Sequence, residues 1–98
     1  MFVNIIKSYR NIVAICDAEL IGKRFEEGNF QLDIKESFFK GEIKEEGEVE
    51  EIIKDMQMED ATFNFVGEKT ISSAIKCKVI KESQIRKIEG IPYALKLI

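Results

Sequence analysis

Histidine is absent from this chain of 98 residues. That removes the side chain that titrates nearest neutrality and the commonest zinc ligand. It excludes Ser-His-Asp and Cys-His nucleophilic systems built within one chain. The two cysteines, Cys16 and Cys77, are far apart and form no Cys-x-x-Cys. A four-ligand zinc site would need two carboxylates beside them, an uncommon set. Two thiols also do not make the disulfide framework of a small secreted domain. No metal and no cofactor is expected. Tryptophan is missing, and proline occurs once among only six glycines. Collagen-like and Pro/Gly-rich disordered classes are thereby excluded. No apolar run approaches the ~18–20 residues of a membrane span, so no membrane partner is expected. Residues Met1 to Lys7 lack the charged leader and long apolar core of a signal peptide, so the chain reads as cytoplasmic.

The residues that are present make a globular composition, 45% hydrophobic and 34% charged. The length suits one domain over residues 1–98, with a core of modest size. Isoleucine outnumbers leucine sixteen to four and lysine outnumbers arginine twelve to three. That bias suits an AT-rich genome, and Lys with Glu is a thermophile trait.

Residues Phe2 to Lys7 and Ile12 to Cys16 are two β-rich apolar runs joined by Ser8 to Asn11, a hairpin pattern. Asp17 stands where an N-cap belongs, ahead of a short helix expected over Ala18 to Phe25. Gly28-Asn29 marks a turn. Phe30, Leu32 and Ile34 then alternate with polar residues as a half-buried strand. Phe38 and Phe39 are expected to extend or cross the sheet edge. Val49, Ile52, Ile53 and Met56 give the clearest helix, Glu48 to Met56, with both isoleucines in the core. Ala61 to Phe65 reads either as a strand or as a lead-in with Asn64 capping a helix. Helical spacing returns over Glu68 to Cys77. Gln84 to Ile88 and Ile91 to Ile98 read as strands around Glu89-Gly90. The sum is an α+β fold. It has a mostly antiparallel or mixed sheet of about five strands, about three helices packed on one face, and hairpins at both ends.

Charge is unevenly spread. Between Glu42 and Asp60 nine acidic residues face only Lys44 and Lys54, a net of −7. From Lys69 onward seven basic residues face Glu82 and Glu89, a net of +5. Lys76, Lys78, Lys81, Arg86 and Lys87 are candidates for a surface that meets RNA, a ribonucleoprotein or an acidic protein. The plainer alternative is a solvated Lys-rich face. A pI near 5.1 argues against a constitutive duplex binder, because neutralising many phosphates calls for net positive charge. The acidic stretch lacks the calcium-loop spacing.

Weaker signals point to a pocket. Gly67, Glu68 and Lys69 open a helix whose free N–H groups could hold an anion, although the phosphate-loop motif is absent. Cys16 and Cys77 read as small buried hydrophobes. Tyr93 shares a strand face with Ile91, Leu95 and Leu97, which suits a core tyrosine whose hydroxyl finds a partner at the edge.

Three segments occur in order: Val13-Ala14-Ile15-Cys16-Asp17-Ala18-Glu19-Leu20-Ile21-Gly22-Lys23, Asn64-Phe65-Val66-Gly67-Glu68 and Gly90-Ile91-Pro92-Tyr93-Ala94. Together they resemble an archaeal family of about a hundred residues known as domain of unknown function 424. The resemblance spans nearly the whole chain. It implies an archaeal, cytoplasmic, single-domain protein and no assigned activity. Relatives often have Gly-Val-Pro-His-Ala where this chain has Tyr93, which weakens any enzymatic role for that position.

The leading expectation is a non-enzymatic binding module using its basic C-terminal surface. The alternative is a small ligand-binding protein or enzyme with a pocket near Cys16–Asp17, Gly67–Lys69 and Tyr93. A third expectation is a structural subunit of a homodimer.

Overall fold

The computed structural model describes residues 1–97. Eight strands and three α-helices form in it. Strand β1 (Phe2–Ile6) and strand β2 (Ile12–Cys16) make the expected antiparallel hairpin. Strands β3 (Arg24–Glu27) and β4 (Phe30–Asp33) make a separate two-stranded sheet. Helix α1 (Glu36–Phe39) and the two-residue β5 (Glu42–Ile43) lead to helix α2 (Glu46–Met58). Strand β6 (Thr62–Val66), helix α3 (Glu68–Lys76), β7 (Arg86–Ile88) and β8 (Ile91–Lys96) complete the chain. The main sheet has the order β5-β1-β2-β6-β8-β7. It is mixed, because β2 and β6 run parallel while the other neighbours are antiparallel.

Strand β2 is apolar on both sides, and each side of the sheet carries a packed layer, the second covering only part of its face. Val13, Ile15, Phe63, Phe65 and Ala94 share one face and pack with Val49, Ile53 and Met56 of α2 and with Ile71 and Ala74 of α3. The Phe63 and Phe65 rings stack at 5.3 Å. Ala14, Cys16 and Val66 lie on the second face under Leu20, Ile34 and Phe39. The helices therefore do not all pack on one face: the short α1 joins the β3–β4 segment on the other.

Several expectations need correction. The helix over Ala18 to Phe25 is only a 3-10 turn at Ala18–Leu20. Gly22 takes a φ of +79° and its N–H donates to the Ile34 carbonyl at 2.8 Å. The chain is thus pulled out of helical geometry into pairing, and Arg24 and Phe25 face Asp33 and Leu32. Phe38 and Phe39 do not extend a strand. They sit in α1 with rings edge-on at 5.1 Å, Phe39 buried. Asn64 caps no helix, since Thr62–Val66 form β6 and Asn64 is central in it. Gln84 belongs to a 3-10 turn, and the following strand begins at Arg86. The end of the last expected strand, at Ile98, lies outside the described residues. Ile53 is fully buried, whereas Ile52 is half-buried at the rim of the same core. Ile53→Ala should therefore cost about 2–5 kcal/mol. Ile52→Ala should cost clearly less, with urea unfolding of both variants as the measurement. Equal losses would contradict this orientation of α2.

Candidate binding surface

The parallel register aligns Cys16 with Val66, so the residues that follow them leave the sheet side by side. Asp17 follows Cys16 and Gly67 follows Val66. The Asp17 N–H donates to the Val66 carbonyl at 3.0 Å, and the Gly67 N–H donates to the Pro92 carbonyl at 2.8 Å. Asp17 does not cap the turn directly after it. Its buried carboxylate instead receives the first N–H groups of α3. Lys69 N–H donates to Oδ2 at 3.1 Å, and Thr70 donates both its N–H and its hydroxyl to Oδ1 at 2.8 Å. Helix starts carry unpaired donors and a positive dipole end, and a carboxylate satisfies both. Gly67 makes this approach possible. Its φ is +108°, and a β-carbon there would fall 2.7 Å from the Asp17 oxygens.

The anion site expected at Gly67 to Lys69 is therefore filled by the chain's own Asp17. The start of α2 is closed in a similar way, with Glu48 Oε1 accepting the Glu45 N–H at 3.3 Å. The exposed side chains of Glu68 and Lys69 border a cleft of about 680 Å³ between the starts of α2 and α3. Tyr93 does not belong to that cleft. It is half-buried on the second sheet face, in register with Val66 on one side and Arg86 on the other. Among the described residues its hydroxyl has no hydrogen-bond partner, contrary to the expected edge contact. The sequence-derived pocket thus separates into a closed cap and a distinct groove.

That groove, about 580 Å³, lies between β4 and the uncovered part of the second sheet face. Leu32, Asp33 and Lys35 form one wall, and Asn64, Tyr93 and Leu95 form the other. Asn64 is a polar residue in the middle of the apolar Phe63 to Val66 run, and that interruption is the sequence signal for the groove.

The five basic candidates are all exposed but do not form one set. Lys76 is bound into the acidic α2, with Nζ 3.3 Å from Glu50 and 4.0 Å from Glu46. Among the described residues, no carboxylate lies within 4.0 Å of Lys78, Lys81, Arg86 or Lys87. These four run along the chain from just past α3 to β7, the edge strand of the main sheet. Within β7, alternation sends Arg86 to the Tyr93 face and Lys87 to the α3 face.

Neither thiol is activated. Burial pushes Cys16 up from 9.0 to about 11, with the Asp17 charge adding to it. Burial, then Glu50, also raises Cys77. No helix of the described residues is long and apolar enough to cross a membrane.

The architecture and the closed helix cap define a small α+β protein whose open features are a basic margin and a groove. The chain belongs to the family described as "Protein of unknown function (DUF424)", which matches residues 6–97. Its fold is similar to that of an uncharacterized conserved protein from the archaeon Methanopyrus kandleri, at 23% identity and a TM-score of 0.82. The match covers 96% of this chain and 87% of that one. No match was found among curated proteins.

Asp17→Ala should lower unfolding free energy by about 2–4 kcal/mol, because it strands buried donors. Gly67→Ala should also destabilise, but less in the Asp17→Ala background, where its clash partner is gone. Additive losses in that double-mutant cycle would contradict the contact. For Cys16, the folded pKa lies above the unfolded one. Its contribution is therefore complete below pH 9 and is lost as pH rises toward about 11. In the folded protein at pH 8, a thiol reagent should label Cys77 and spare Cys16. Rapid labelling of both would refute the burial argument.

Proposed function

We propose that this protein is a non-enzymatic binding module that meets single-stranded RNA, free or in a ribonucleoprotein, along its basic margin. The observation that supports this reading is a local excess of exposed cations after α3. Lys44 and Lys76 are paired with glutamates of the acidic segment. Lys78, Lys81, Arg86 and Lys87 are exposed and without carboxylate neighbours among the described residues, in a stretch opposed only by Glu82. A local net charge of +3 over residues 78–87 attracts phosphates even when the whole chain carries −3. The reading also assigns the protein to the cytoplasm, a compartment compatible with two free thiols.

The test is an RNA titration across salt. Four phosphate contacts to a single strand give a slope of log K against log salt near −2.8, at about −0.7 per contact. Between about 50 and about 200 mM salt, affinity should fall about 50-fold. Changing Lys78, Lys81, Arg86 and Lys87 to Ala together should flatten the slope and leave the melting curve unchanged, since exposed charges contribute little stability. Lys76→Ala alone should barely move the slope. Binding that is absent, or indifferent to both salt and the quadruple change, would defeat the RNA reading in favour of an acidic protein or simple solubility.

A further inference from the structure

We propose that the groove beside Tyr93 holds one unstacked base of the bound strand, with Asn64 reading the edge of that base. This rests on the RNA reading and names what its surface recognises. The groove is largely apolar, with a few polar groups converging on it, the composition of a site for a small flat ligand. Its volume of about 580 Å³ falls within the ~300–1,000 Å³ typical of such sites.

Asn64 supplies the specificity. Two strands away in the same cross-strand row, beyond Ala14, Asn4 donates to the Phe38 carbonyl at 2.7 Å and is thereby used. Asn64 has no hydrogen-bond partner among the described residues, yet it lines an apolar groove. A side-chain amide presents one donor beside one acceptor, and adenine matches both through N7 and N6–H₂. Tyr93 and Leu95 offer apolar surface against which a base can pack.

Charge decides which part of the nucleotide enters. Asp33 and Lys35 both line the groove and their charges cancel, so its interior offers no net attraction to a phosphate, while Asp33 can accept from base amino groups. Outside, Arg86 stands opposite Tyr93 in the β7–β8 register. Opposed residues in antiparallel strands have β-carbons only about 4.5–5.5 Å apart. A cation that holds phosphate thus flanks the aromatic ring that borders the base.

The experiment compares a short oligoadenylate with a polyphosphate of equal charge. The intact protein should bind oligoadenylate about tenfold more tightly, in line with the ~1–3 kcal/mol of a bidentate base contact. Asn64→Leu should remove that advantage and leave the salt slope unaltered. In the unchanged protein, the Asn64 side-chain amide resonances should shift on titration with oligoadenylate and stay fixed with polyphosphate, which tests the site without any substitution. Salt-dependent binding with no preference for oligoadenylate, or with unmoved Asn64 resonances, would overturn the base site and leave the basic margin standing. Loss of all salt-dependent binding would overturn both.

Discussion

The contact between the Asp17 carboxylate and the first turn of α3 organises the molecule. It joins the end of β2 to the start of a helix more than fifty residues later, with both Thr70 donors at 2.8 Å. It also depends on the parallel pairing of β2 and β6, which delivers Asp17 and Gly67 to the same level. The sheet, the helix direction and the glycine are mutually required: if one shifts, the carboxylate is left buried without its donors. Charge burial on this scale is tolerable only with such partners.

The closed cap also divides the molecule chemically. Helix starts are ready-made anion sites, and in this chain the longer two are already answered by carboxylates. What remains open is side-chain charge along β7 and an apolar recess on the second sheet face. Binding at the margin would therefore rest on exposed cations, while selectivity would rest on a groove fixed by the packing of β4 and α1. On that proposal these would be separable duties carried by different residues, with Arg86 between them.

Much of this was legible in the residues. The 3.6-residue spacing of Val49, Ile53 and Met56 gives α2. The alternation in Ile91, Tyr93 and Leu95 gives β8 and the face of Tyr93. The α+β class follows from their sum. Local pattern failed where tertiary pairing took over. Leu20, Ile21, Arg24 and Phe25 have helical spacing, but Gly22 and the Ile34 carbonyl turn that segment into a strand. Asp17 carries a capping signal that is correct in kind, yet its helix is remote in sequence. Only the parallel pairing of β2 and β6 identifies that helix, and strand order is not written in local periodicity. The five cations were visible as a run, whereas the loss of Lys76 to Glu50 and the divergence of Arg86 and Lys87 needed the helix packing and the strand register. Asn64 left a trace as a polar break in an apolar run, but the groove it faces is made by residues thirty positions earlier.

The parallel pairing has a consequence for how the chain is made. The inner edge of β2 has no partner until β6 emerges from synthesis, and β2 is apolar on both faces. An open apolar edge invites pairing with other chains. The residues produced in the interval include the acidic segment. Residues 1–60 hold fifteen acidic against eight basic side chains, a net of −7. The stretch of net positive charge arrives later, from Lys69 onward, after the partner strand itself. Nascent copies are thus most strongly negative, and repel one another most, while their central edge is uncovered.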